Sequence, residues 1–382
     1  PFGSQLHAAE YKSEGIPVVM PKDLIAQRIS TEDIARISTK RANDLIKHQL
    51  KAGDIVFGRR GDIGRCALVS SNEQGWICGT GCLRARLKEH VDPEFITYFL
   101  GLPHTIYWLE SNAVGQTMLN LNTEILAALP ITLPPLPEQR RIAEILSTWD
   151  EAISLTQRLI KAKQRRKQGL MQRLLTGSVR LPGFDGGWLK TSLEKIAELI
   201  AGATPSRRVK KYWKNGHIPW MKSGEVHLKR IYDVEGRITQ QGLENSSTKM
   251  IPKNCVLIAL AGQGITRGMV AINKIELCTN QSIAAIIPKT DVLYYEYLFY
   301  NFDKRYEEFR RLSSGDGGRG GLNLGLLKGV EILLPPLPEQ RAIAAVLQTA
   351  DEEIGLLERK LAALRQQKQG LMQRLLTGEV RV

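Results

Sequence analysis

The sequence predicts an α+β fold: two mixed α/β domains, each leading into a long helix, with the two helices paired as an antiparallel coiled coil inside one chain in a pseudo-twofold repeat. Three observations carry this expectation. LPPLPEQR occurs at residues 133–140 and again at 334–341, and an offset of 201 residues lays 133–181 over 334–382 with 31 of 49 positions identical. Self-similarity of that length is duplication of a structural unit. Both copies carry apolar residues in alternating steps of four and three, which is the seam of a coiled coil. The blocks ahead of them alternate with a period of two between Gly-rich turns, as strands do.

The helices are the most legible elements. The first seam runs through Ile142, Leu146, Trp149, Ile153, Thr156, Ile160, Lys163, Lys167, Leu170 and Leu174. The second runs through Ile343, Leu347, Ala350, Ile354, Leu357, Leu361, Leu364, Lys368, Leu371 and Leu375. Pro135 and Pro137 cannot sit in a helix interior, whereas Glu138 suits a first turn. Gly177 and Gly378 are the expected stops. Each helix is then about 35 to 40 residues long, or roughly 55 to 60 Å at 1.5 Å per residue. A stripe of that length must be buried, and the other copy is the obvious partner, most simply antiparallel because a whole domain intervenes. The alternative is that each helix packs only on its own domain. Ile142, Leu146, Trp149, Ile153 and Ile160, with Ile343, Leu347, Ile354, Leu361 and Leu364, are the expected coiled-coil and partner-docking residues.

These limits divide the chain into a first head (1–132), a first helix region (133–180), a second head (181–333) and a second helix region (334–382). The heads correspond weakly. Ile16-Pro17 matches Ile218-Pro219, 53–69 matches 254–272, EFITYFL at 94–100 matches YEYLFYN at 295–301, and 113–122 matches 313–324. Each head reads as short strands, one helix (about 92–110 and 291–312), a loop, and a closing strand in ALPITLPP or VEILLPP. The stretch after Gly177, beside Pro182 and Gly183, reads as a linker. Because the chain opens on Pro1 and the first head has no counterpart of the second head's opening, the start of the first head is expected to be missing.

The formal net charge is +14 and the pI about 9.6. Such a surplus favours polyanionic partners, nucleic acid being the commonest, although a soluble basic protein would show it too. Five scattered cysteines (Cys66, Cys78, Cys82, Cys255, Cys278) read as reduced thiols of a cytoplasmic protein. Cys78 and Cys82 have the spacing of half a metal site but no second pair nearby. No apolar run reaches membrane-spanning length.

CVLIALAGQGITRG (255–268) mimics a cofactor loop, but that loop requires a helix after it, and MVAINKIEL alternates like a strand. Both it and GRRGDIG (58–64) are strand-turn-strand loops. Their polar residues are Arg59, Arg60, Asp62 and Arg65 in the first head and Gln263, Thr266 and Arg267 in the second. Arg on a rigid turn can reach guanine, and Gln adenine; a solvated turn is the other reading. The segment 204–222 sets Arg207, Arg208, Lys210, Lys211, Lys214 and Lys222 around Tyr212, Trp213 and Trp220, a pattern that suits phosphate anchoring, with Trp220 more at home in the core. The Gly-rich loop 313–323 carries Arg319, and its counterpart carries Gln116, Thr117 and Asn120; such loops inside a domain suit recognition. Lys161, Lys163, Arg165, Arg166 and Lys167 form either a solvated face or a docking surface. No catalytic set and no metal cluster emerges.

LPPLPEQRRIAEIL and LPPLPEQRAIAAVL leading into long helices, the GLMQRLLTG endings, and GATPSR followed by YW and IPW resemble the specificity subunit (HsdS) of type I restriction-modification systems, over essentially the whole chain. The first head departs from the pattern in lacking a GATPS stretch. The resemblance implies two target recognition domains, each reading half of a split double-stranded DNA site, held apart by an antiparallel coiled coil. It implies a non-catalytic subunit that binds two methyltransferase (modification) subunits, which use S-adenosylmethionine on adenine, and restriction subunits, which use ATP and Mg²⁺. A coiled-coil scaffold without sequence-specific DNA binding, and a self-sufficient nuclease or methyltransferase, are the competing classes.

Overall fold

The computed structural model describes residues 6–115, 119–262, 264–312 and 321–382. The chain divides into two compact units. One comprises 1–158 with 359–382, and the other 159–358. The first long helix, Leu136–Leu174, therefore begins in one unit and ends in the other, and the second, Leu337–Leu376, does the reverse. Their lengths, 39 and 40 residues, agree with the spacing of prolines and glycines. Gly177 (φ +71°) and Gly378 (φ +76°) take the left-handed conformation that ends a helix.

Within the first unit, a small sheet centres on Ile16–Val19, antiparallel to Ala35–Ile37 and parallel to Ile77–Cys78. A second sheet centres on Ile55–Gly58, flanked by Cys66–Leu68 and Cys82–Ala85. The second unit repeats both patterns. Ile218–Met221 lies between Arg237–Ile238 and Cys278–Thr279, and Val256–Ala259 lies between Val270–Asn273 and Ile283–Pro288. Two further strands enrich the second unit: Ala197–Ala201 extends the larger sheet, and Leu189–Ser192 pairs with the closing strand Glu331–Leu334.

Three expectations need correction. The single helix expected at about 92–110 and 291–312 is in each head a pair of helices. In the first, Pro93–Leu100 and Pro103–Asn112 break at Leu102, held extended (φ −70°, ψ 138°) by the proline after it. In the second, Tyr295–Lys304 and Tyr306–Leu312 break at Arg305, whose guanidinium reaches Glu308 and the carbonyl of Glu331 at 2.8 Å. The first head's closing strand does not form: residues 129–135 carry no regular secondary structure, because a strand needs a ladder partner and no described segment of this unit supplies what Leu189–Ser192 supplies to its counterpart. The head helices also align one residue later than expected, at an offset of 202, so that Tyr98 corresponds to Tyr300 and Glu94 to Glu296.

The cores explain why the helices are long. Phe57, Phe95, Phe99, Leu109 and Leu121 of the first head bury Ile142 and Leu146 from the start of the first long helix, together with Leu375 and Leu376 from the end of the second. In the other unit Tyr297, Phe302, Phe309 and Leu327 bury Ile343 and Leu347 together with Met171, Leu174 and Leu175. Each fully buried leucine contributes about 1.5–3 kcal/mol. Within the first unit Asp150 meets Lys368 at 2.6 Å and Glu138 meets Arg381. In the second, Lys163 meets Glu353 at 2.7 Å and Lys167 meets Asp351 at 2.5 Å. Rising numbers pair with falling ones, so the helices are antiparallel. Ile160 and Ile354 are buried and Trp149, Ile153, Leu361 and Leu364 half-buried. The helices thus pair as expected, and the alternative that each packs only on its own head does not hold: each starts on its own head and ends on the other.

The stretch after Gly177 is less free than a linker. Arg180 donates to both oxygens of the buried Glu339 at 2.6 and 2.7 Å, and the Trp188 indole N–H adds a third bond at 3.1 Å. Arg381 on Glu138 is the same clasp 201 residues away. Gln139 and Gln340 are equally reciprocal. Each takes the backbone N–H that opens its head helix (Asp92 or Tyr294, 2.8 Å) and donates to the proline carbonyl behind it. LPPLPEQR is the splice between head and helix: its prolines lead into the helix, its Glu receives the other end's Arg, and its Gln pins the head.

Candidate nucleic-acid interface

In the first head the strands Ile55–Gly58 and Cys66–Leu68 are antiparallel, with Phe57 opposite Cys66, and the turn between them projects the predicted polar residues. Gly61 and Gly64 have φ of +84° and +89°, which side-chain-bearing residues rarely adopt. Arg59 is anchored through its backbone, donating N–H to Gly81 (2.7 Å) and accepting from Leu121 (2.9 Å). The exposed Arg60 donates through Nε to Asn120 Oδ1 at 3.3 Å, so two predicted residues from distant segments meet. Asp62 and Arg65 form an exposed ion pair within the turn.

Beside this turn lies a cleft of about 660 Å³ whose lining includes Lys47, His48, Arg59, Arg60 and Arg84 and, among the described residues, no carboxylate. Arg84 holds its floor by donating to the Gln49 carbonyl at 2.7 Å, with Asp54 3.9 Å away. Burial, helped by the nearby charges of Arg84 and Lys47, pushes the His48 imidazole below its ordinary value. Lys47, His48 and Arg84 were not legible as site residues. Arg84 is far from Lys47 and His48 in sequence, and its hydrogen bonds to the Lys47 and Gln49 carbonyls bring the three together.

The equivalent turn of the second head is braced by the helix Tyr306–Leu312. The Tyr306 hydroxyl donates to the Ile265 carbonyl at 2.6 Å and Arg310 to that of Gly264 at 2.7 Å. Thr266 and Arg267 are half-buried there. Gln263, like Arg319, Gln116 and Thr117, lies outside the described residues. A second basic group forms around Trp213, where Arg207, Lys210 and Lys214 line a shallow cleft of about 410 Å³. The Arg207 guanidinium lies 5.1 Å from the Trp213 ring, which meets Trp220 edge-on at 5.0 Å. Trp220 is core, as its sequence context suggested. Arg208 and Lys211 are exposed, whereas Lys222 is engaged by Glu235 at 3.0 Å.

The segments that run into Asn122 and Asn323 end alike. Leu121 and Leu322 are buried, and Asn122 and Asn323 cap the following helical turns by accepting N–H bonds of 2.8 and 2.9 Å. Among the described residues no group of three or more His, Cys, Asp and Glu is placed to hold a metal. All five cysteines are free thiols. Among them no helix is long and apolar enough to cross a membrane.

A family profile described as type I restriction modification DNA specificity domain matches residues 6–163 and 186–366, once per head-and-helix repeat. The chain belongs to this family of type I specificity subunits. Its relatives agree with that placement. The putative type I restriction enzyme MjaX specificity subunit of Methanocaldococcus jannaschii is 26% identical over 96% of this chain and 88% of its own length. The EcoR124I/EcoR124II specificity subunit of Escherichia coli is 27% identical over 65% of this chain and 63% of its own. In fold, the specificity subunit resembles the HsdS subunit from Thermoanaerobacter tengcongensis (TM-score 0.53, 22% identity, covering 97% of this chain and 94% of that one). It also resembles the S subunit from M. genitalium (TM-score 0.59, 16% identity, 97% and 91%).

Proposed function

We propose that each head reads one half of a split, asymmetric double-stranded DNA site and that the long helices set the gap between the halves. The observation that carries this reading is the reciprocal repeat: two similar heads, each presenting a Gly-rich basic turn, each built onto the start of one helix and the end of the other. The +14 charge suits neutralisation of phosphates. Two reading heads on one chain make the second binding event intramolecular, which raises affinity without new contacts when the spacing fits. Removing one heptad from each helix shortens the ruler by about 10.5 Å, or roughly three base pairs, and should shorten the accepted gap accordingly.

Two equivalent stretches of helix suit two copies of a modification subunit, with restriction subunits completing the complex. The chain itself performs no chemistry in this reading. S-adenosylmethionine, ATP and Mg²⁺ serve the partner subunits, and the purified chain is inert with them. The site of action is cytoplasmic, where DNA and partners meet. Deleting the gene should erase one asymmetric split motif from the host methylome, and a full set of methylated motifs after deletion would overturn the assignment. Against a scaffold without DNA binding, the full chain should bind duplex DNA with an affinity that falls steeply with salt. The full chain is the reagent because Met171, Leu174 and Ile343 belong to the second head's core.

A further inference from the structure

The junction of head and helices holds a polar triad that the basic surfaces do not explain. In the first unit the Tyr98 hydroxyl donates to Asp150 Oδ2 at 2.8 Å, and Lys368 Nζ donates to Asp150 Oδ1 at 2.6 Å. The ammonium also lies 4.8 Å from the Tyr98 ring centroid. In the second unit Tyr300 donates to Asp351 Oδ2 at 2.7 Å, Lys167 meets Asp351 Oδ1 at 2.5 Å, and its ammonium lies 5.5 Å from the Tyr300 ring. Three elements meet each time: a head helix, the early part of one long helix and the late part of the other. Burial, reinforced by the aspartate, raises both phenol pKa values, so the hydroxyls stay protonated donors. The heads have otherwise diverged, yet both keep this set.

Apolar packing already holds each head on its helices, but it is not directional. A shared carboxylate is, because a swivel of the head would break two hydrogen bonds at once and leave a largely covered lysine (Lys368 15% exposed, Lys167 18%) without its acid. The head helix has a second anchor at its start, where Gln139 accepts from Asp92 N–H and Gln340 from Tyr294 N–H, both at 2.8 Å. Anchors six residues apart, about 9 Å along a helix, fix a direction where one would leave a pivot.

We infer that Tyr98, Asp150 and Lys368, with Tyr300, Asp351 and Lys167, are positioning residues that set the angle of each head on the helix pair and thereby the single gap length accepted between half-sites. This rests on the DNA-reading role proposed above. Helix length sets the coarse gap, and the triads set its tolerance.

The test is the doubly substituted Tyr98→Phe/Tyr300→Phe chain, which loses two oxygen atoms and no ring packing, expressed with its modification and restriction partners in place of the wild type. The readout is the gap length in the methylated motifs of the host genome. Wild type should give one gap. The variant should methylate motifs with the same half-site bases and a gap one base pair longer or shorter at least tenfold more often than wild type. A purely structural role would lower the thermal midpoint or total methylation and leave the gap untouched, and that result overturns the inference. A wild-type chain that yields no split motif would overturn the DNA-reading role itself and the triads' part in it.

Discussion

The two units share a junction and differ in what surrounds it. Arg28 and Glu94 of the first unit correspond to Arg230 and Glu296 of the second. In the first they are exposed on the rim of a cleft of about 1100 Å³ beside Asp150 and Glu151. In the second Glu296 is fully buried, bridged by Arg230 at 2.7 Å and Lys274 at 2.8 Å, and the Arg230 guanidinium sits 3.9 Å from the Phe299 ring. The second unit also carries the strands Leu189–Ser192 and Ala197–Ala201. The same pair of residues is thus a solvated couple in one copy and a sealed network in the other. Duplication kept the contacts that assemble the chain while the rest of each head drifted, so equivalent positions need not have equivalent energies.

The sharpest way to break that contrast is Glu296→Ala. It leaves Arg230 and Lys274 without their buried carboxylate and should cost about 3–5 kcal/mol in urea unfolding, while Glu94→Ala should stay within about 0.5 kcal/mol. Equal effects would erase the difference. Leu375→Ala and Leu174→Ala should each cost about 2–5 kcal/mol. Hydrogen exchange should place the loss in the first head for Leu375 and in the second for Leu174; a loss in the opposite head would undo the reciprocal cores. Arg267→Ala should weaken recognition of one half-site by about 1–3 kcal/mol if it reads a base. Uniform weakening on all DNA sequences would mark a phosphate contact instead.

The smallest effect concerns Cys66, Cys78, Cys255 and Cys278, which are buried alike in both units, unlike the half-buried Cys82. Burial pushes Cys66 and Cys255 up to about 12, and Cys78 and Cys278 to about 11. Their folded values exceed the ordinary thiol value of about 8.5, so their contribution is complete below that pH and is lost as pH rises through the folded values. Thiol reagents at pH 8 should label these cysteines only as fast as the protein unfolds. Rapid labelling at any of these four would show an opening absent from this packing.

The duplication, both long helices and their ends were legible because prolines, glycines and a seven-residue repeat act locally. The heads were legible in outline only. The break at Leu102 was hidden because Pro103 suits a first helical turn as well as a stop. The missing strand at residues 128–135 was unpredictable from its own residues, since VEILLPP and ALPITLPP are both plausible strands and only a distant partner decides. Aligning EFITYFL with YEYLFYN set Tyr98 against Phe299, a slip of one residue that concealed the junction tyrosines. Lys163 and Lys167 looked like a solvated face although they held seam positions; their acids, Glu353 and Asp351, lie far along the chain. Of the predicted surface, Arg60 and Asn120 converge, and Arg207, Lys210 and Lys214 gather, while Lys222 is engaged by Glu235.

The reciprocal cores bear on the order of folding during synthesis. Ile142 and Leu146 leave the ribosome well before Leu375 and Leu376, which complete the first head's core from the far end of the second long helix. Domains usually condense in the order they are made, and contacts of large sequence separation form slowly. Here the first head must wait, with part of its apolar interior open, until the second long helix has been made. The second head meets both of its helical segments sooner, and it is the natural nucleus on which the first can close.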